Sequence, residues 1–224
     1  MRSPKNIGAP PFQVTDSNLP PTRKGRIFET YATCLRDFAG LRNPEQKLDP
    51  FELARYANLL VADFEAVKPL LSGDTLAQLL GDGKDSWSGG ACSQALPDGR
   101  KLIILNPTHG KNRQNATLME EICHVFFGHK PSRLAFRDEG DGGKVRARDY
   151  NKEIEEQAYS VGAAALVPYA ALTKFVSGGM TSRRIARHFE VSHLLVEYRI
   201  KVSRLWQDYI SIQGDGKRIR SIAR

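Results

Sequence analysis

The sequence predicts an α+β fold in which helices dominate and a short β-hairpin supplies the sheet. Two observations carry that expectation. Apolar residues recur at helical spacing in segment after segment, and one stretch breaks the pattern with a turn signal followed by a short, continuously apolar run. The composition fits such a fold: of 224 residues, 41% are hydrophobic and 26% charged, enough to bury a sizeable core.

Residues 1–24 hold five of the twelve prolines and no periodic apolar pattern, so an extended or disordered leader is expected. Residues 26–38 place apolar side chains at 27, 28, 31, 34/35 and 38, one face of a helix. Residues 50–64 repeat that spacing, with Asp49 as N-cap and Pro50 at the first helical position. A short helix is expected over 74–80. Residues 87–95, the Pro97-Asp98-Gly99 turn and the run 101–105 read as a hairpin whose second strand is buried. Asn106-Pro107 ends it.

A strong helix follows over 115–127, with Asn115 or Thr117 as its cap and Gly128 as its stop. A polar, glycine-rich loop at 137–149 leads to a second strong helix over 152–166, which ends before Pro168. The remainder is helical. Residues 182–189, a turn at 190–192 and residues 193–200 resemble a helix-turn-helix.

Several function classes are excluded. No apolar run approaches the roughly 20 residues needed to cross a bilayer, and the N-terminal stretch lacks the apolar centre of a secretory signal. No membrane association is expected, and the cytoplasm is the expected location. Cys34, Cys92 and Cys123 are sparse and form no CxxC pair, which argues against a disulfide framework or a thiolate metal site. Cys123 reads as a small buried hydrophobe. The net charge is +8, and from Arg183 onward ten Lys/Arg face four Asp/Glu. About +6 therefore lies in the last fifth of the chain, a solvated face or a surface for nucleic acid or an acidic partner.

The chemistry-bearing constellation is on the helix over 115–127. Glu120 and His124 are four residues apart, so they share a face about 6 Å apart along the axis and can grip one ion. Glu121 is rotated from them by about 100°, where its carboxylate can serve as a base. An ordinary surface pair of glutamates beside a packed histidine has the same spacing. The polar residues, however, interrupt the apolar run of Ile122, Cys123, Val125, Phe126 and Phe127, and buried charge is costly unless paired or bound to a metal. The second helix offers a third ligand, Glu155 or Glu156, ahead of the small-residue stretch Gly162-Ala163-Ala164-Ala165, which lets helices approach closely.

These segments together resemble the ImmA/IrrE family of zinc metallopeptidases. The likeness lies in Asn106-Pro107, the run from Arg113 through Thr117-Leu118 to Glu120-Glu121-Ile122-Cys123-His124 and His129, and the run from Ile154 to Pro168. It covers residues 100–170 well, extends to the helical tail from Ile185 to Arg199, and is loose in the N-terminal third. The resemblance implies a zincin-like core with a helix-turn-helix-like C-terminal segment. It assigns metal ligation to Glu120, His124 and Glu155 and the general base to Glu121. Zinc is the implied ion; oxygen-rich ligands also admit Mn²⁺ or another divalent cation. The implied activity is cleavage or removal of a regulatory protein, such as a helix-turn-helix repressor, in a phage, mobile-element or stress setting.

Two positions depart from the family pattern: Glu120 stands where the first motif histidine is expected, and Gln157 where an acidic residue is usual. Two carboxylates make the site more anionic, so slow hydrolysis or a binding-only regulator acting through the C-terminal helices on DNA or a repressor is the alternative. Tyr159, one turn after Glu155, is a candidate donor to the reaction's oxyanion or a packing aromatic. His129 reads as structural or substrate-facing rather than as a ligand. The expected organisation is a leader over 1–24, a peptidase domain over 25–170 and a basic helical segment over 171–224.

Overall fold

The computed structural model describes residues 18–129 and 151–222; most of the expected leader and the loop at 137–149 lie outside them. The fold is α+β. Ten helices and one three-stranded sheet are found among the described residues.

Helix α1 (Arg23–Phe38) starts at a Thr22 cap whose hydroxyl accepts from the Gly25 N–H. It therefore begins inside the stretch read as leader. Asp49 caps α2 (Pro50–Tyr56) with Pro50 at the first turn. The sequence spacing continued this helix to residue 64, and the structure corrects that. Asn58 adopts a left-handed φ of 58° and stops it. Residues Leu59–Ala62 then form strand β1, and α3 (Phe64–Val67) follows under an Asp63 cap. Apolar residues at 60, 61 and 64 suit either period, and pairing with a distant strand decides the outcome.

A 3₁₀ turn, Lys68–Leu70, and helix α4 (Gly73–Leu80) lead to β2 (Gly89–Ala95) and β3 (Lys101–Leu105). The hairpin is present as expected: β2 runs antiparallel to β3, with Gly89 opposite Leu105. On the other edge β1 runs parallel to β3, pairing Leu59 with Lys101. The order is β1-β3-β2, so β3 is central, and its Ile103 and Leu105 are buried.

Behind the sheet lies α5 (Lys111–Phe126), which starts four residues before Asn115, the first of its two expected caps. Gly110 takes the cap position without a side-chain bond. Asn115 lies inside the helix and donates to the Glu190 carbonyl instead, and Thr117 is buried there. Asn106 ties the strand end to its surroundings. Its amide donates to the carbonyls of Lys84 and Trp87, and its side-chain oxygen accepts from Thr108.

Helix α6 (Lys152–Leu166) packs along α5 and α1. Its stretch from Ser160 to Leu166 is wholly buried, and the small residues allow the expected approach: a Cβ added at Gly162 would lie 3.4 Å from the Met119 backbone and 3.5 Å from the Glu120 nitrogen. Helices α7 (Tyr169–Ser177), α8 (Ser182–Phe189), α9 (His193–Val202) and α10 (Trp206–Ile222) complete the chain. Ile185, Phe189, Leu195, Val196 and Ile200 join the same buried cluster as Leu118, Ile122 and Val161.

A polar staple locks the α6–α7 corner. Arg36 donates to the carbonyls of Ala165, Asn43 and Gln46, while Arg199 donates to the Val167 carbonyl and to Glu29. The other Glu29 oxygen accepts from the N–H of Tyr169, the first residue of α7.

Candidate metal centre

Helix α5 buries Leu118, Met119, Ile122 and Cys123, a face set by the three- and four-residue spacing of apolar side chains. Glu120, Glu121 and His124 are consequently left half-buried along its flank. Opposite them α6 presents Glu155 in its first turn, where Asn151 caps the helix.

The structure brings three of the expected residues together. Glu120, His124 and Glu155 each offer one ligand atom, and these atoms lie within 4.8 Å of one another. His124 Nε2 is 3.6 Å from Glu155 Oε2, with both side chains under one-fifth exposed. Donors about 2.0–2.2 Å from one tetrahedral ion lie about 3.4 Å apart, so a nitrogen and two carboxylate oxygens at this spacing fit a divalent cation. Glu121 is half-buried one position on from Glu120. Glu156, the other candidate for third ligand, instead pairs with Lys24 at 2.6 Å.

Tyr159 is 37% exposed, and its ring meets Tyr198 of α9 edge-on at 5.0 Å. Its hydroxyl is pushed above the usual phenol range by burial first, then by Tyr198 and the nearby Glu120 charge. It is therefore held as an O–H donor at neutral pH. Tyr198 in turn shares a 2.8 Å hydrogen bond with Ser160. The sequence offered no signal for Tyr198, which meets Tyr159 from another helix.

Burial, with the Glu120 charge adding to it, pushes the Cys123 thiol up, and its side chain is fully enclosed. A nucleophilic cysteine there is ruled out. His129 does not belong to the three-donor group; its Nδ1 lies 3.0 Å from His124 Nδ1.

With this geometry in place, residues 80–201 match the family model described as Peptidase_M78, IrrE N-terminal-like domain. The chain belongs to this peptidase family. No curated protein and no solved structure matches it. The match begins in the last turn of α4 and ends within α9, so it includes both helices that carry the three-donor group. The M78 assignment agrees with the ImmA/IrrE resemblance and with a zincin-like fold, and it implies a divalent metal. Among the described residues no single helix is long and apolar enough to cross a membrane.

Proposed function

We propose that this M78 protein is a zinc-dependent peptidase in which Glu120, His124 and Glu155 hold the ion and Glu121 is the general base. The observation that carries this reading is the convergence of one imidazole and two carboxylates from two helices within 4.8 Å. A bound divalent ion would supply Lewis acidity toward a peptide carbonyl and water.

The chain's own residues do the rest. Glu121 takes a proton from the attacking water and delivers it to the leaving amine. Tyr159, held protonated, donates to the oxyanion of the tetrahedral intermediate. We assign the substrate to the class of regulatory proteins such as helix-turn-helix repressors, on the strength of the ImmA/IrrE resemblance alone.

Elemental analysis of the purified chain tests the centre. About one divalent ion per chain is expected, lost in His124→Ala and Glu155→Ala. Glu121→Gln should keep the ion and lose cleavage by at least about 100-fold, the usual contribution of a general base. Substoichiometric metal in the wild type, or full cleavage by Glu121→Gln, overturns the assignment.

A second reading, a binding-only regulator, draws on α8. Arg183, Arg184 and Arg187 are exposed along it, whereas the face of α9 carries Glu197 and buries Arg199. Charge reversal at the three arginines, rather than truncation through the shared core, is the appropriate probe. A salt-dependent gel shift with duplex DNA that the reversal abolishes would favour this reading.

A further inference from the structure

The C-terminal end of α5 holds an arrangement that the three-donor group does not explain. Phe127 closes the helix and Gly128 turns with a left-handed φ of 63°. The chain then folds back: the His129 N–H donates to the His124 carbonyl at 2.9 Å, and the Gly128 N–H to that of Val125 at 3.1 Å. This is a Schellman motif, and it lays the residue after the glycine against the third-last residue of the helix. Here those two residues are both histidines.

Their rings meet edge-on, with centroids 5.1 Å apart and planes at 69°. The contact is specific: Nδ1 faces Nδ1 at 3.0 Å. The far nitrogen of His129, Nε2, lies 3.1 Å from Gln157 Oε1, two residues beyond Glu155 on α6. Phe127 packs against the His129 ring at 5.5 Å and against Tyr31 of α1 at 5.1 Å, which holds the pair from the other side.

The direction of each bond follows from its end. A carboxamide oxygen only accepts, so His129 Nε2 carries the proton. In the neutral ring Nδ1 is then an acceptor, and the proton shared with His124 belongs to His124 Nδ1. When His124 is neutral its lone pair is then on Nε2, the nitrogen 3.6 Å from Glu155 Oε2. A histidine that donates through one nitrogen is oriented and made more basic at the other.

We propose that His129, backed by Gln157, is a positioning residue that fixes the tautomer and rotamer of His124, so that Nε2 faces Glu120 and Glu155 ready for a cation. The proposal rests on the reading of those three residues as ion ligands. It gives the Gln157–His129–His124 chain a single function: each member sets the proton of the next.

Two measurements on the full chain test it. Ring ¹⁵N spectra of the metal-free protein, recorded with both rings neutral, should place the proton of His124 on Nδ1 and that of His129 on Nε2. In His129→Ala the His124 proton should redistribute between its two nitrogens. Zinc affinity by competition with a chromophoric chelator should fall roughly 10- to 100-fold in His129→Ala, the usual effect of losing such a partner. Gln157→Leu, which leaves both histidines in place, should weaken zinc binding less. The double variant should bind no more weakly than His129→Ala, because the glutamine acts only through that ring.

A wild-type His124 protonated on Nε2 overturns the proposal. So does a folded His129→Ala protein with unchanged zinc affinity, which would leave the metal reading standing. A wild type that takes up no divalent ion overturns the metal reading itself, and the ring spectra then decide whether the hydrogen-bond chain exists without it.

Discussion

At position 120 a carboxylate stands where the resemblance places an imidazole, and the exchange alters what the site prefers. Glu120, Glu155 and the adjacent Glu121 concentrate negative charge around a single nitrogen donor, His124. Carboxylate oxygens suit hard cations and imidazole suits zinc. The present set is therefore less selective for zinc than a two-histidine set. Glu120→His should raise the zinc-over-manganese preference by at least about tenfold, on the order of 1.4 kcal/mol. Elemental analysis after equilibration with equal concentrations of both ions reads that ratio, and an unchanged or inverted ratio refutes the argument. The pair Glu120 and His124 was legible because four-residue spacing on a helix is local geometry. Spacing alone left Glu155 as one of two candidates, and the family resemblance singled it out. The ion pair of Glu156 with Lys24 depends on α1, which no spacing within α6 reveals.

Between elements, the site depends on how closely α5 and α6 approach. Gly162 is the point of contact: an added methyl would sit at 3.4 Å from Met119, ordinary van der Waals distance, beside the Glu120 backbone. Gly162→Ala is expected to fold and bind metal like the wild type. Gly162→Val adds two further carbons where α5 backbone already lies, and overpacking of this kind costs about 1–3 kcal/mol. Relief by separating the helices would carry Glu155 away from Glu120 and His124. The valine variant should thus lose both melting temperature and metal stoichiometry, and a valine variant that keeps its full complement of metal would show that the approach is not limiting. The sequence pattern disclosed this packing through the Gly162–Ala165 run, and it disclosed the hairpin through Pro97-Asp98-Gly99. It failed at β1, where Leu60 and Val61 fit a helix as well as a strand and the decision comes from pairing with β3, some 40 residues away. It also misplaced the start of α5, because Gly110 caps without a side-chain bond and Asn115 serves the α8–α9 turn instead.

At the scale of the whole molecule, a far-reaching side-chain link among the described residues is the pair of Arg199 on α9 and Glu29 on α1, at 2.7 Å and 5% exposed on each side. It joins the first helix to the ninth across the α6–α7 corner, so the C-terminal helices and the helix bearing Glu155 share one buried polar staple. Burial pushes the Glu29 carboxyl above its ordinary value of 4.5, and Arg199 is the main influence opposing that rise. Arg199→Leu removes the opposition and leaves the carboxylate enclosed, a change that costs about 3–5 kcal/mol for a broken buried pair. The pH dependence has a definite sign. With its folded pKa raised further, Glu29 holds a proton in the folded chain over a range where the unfolded chain has released it. Stability of the variant therefore falls as pH rises from about 4.5 through that folded value. Relative to wild type, Arg199→Leu should be least destabilised in mild acid and most destabilised near neutrality. Adding Glu29→Gln, which keeps an oxygen to accept from the Tyr169 N–H but removes the charge, should recover much of the loss at neutral pH and flatten the difference. Urea titrations of the wild type and both variants at several pH values measure all of this. A deficit below about 1 kcal/mol, the scale of an exposed pair, or one that does not change with pH, would mean that the staple is relaxed by water and that α9 is held by its apolar face alone.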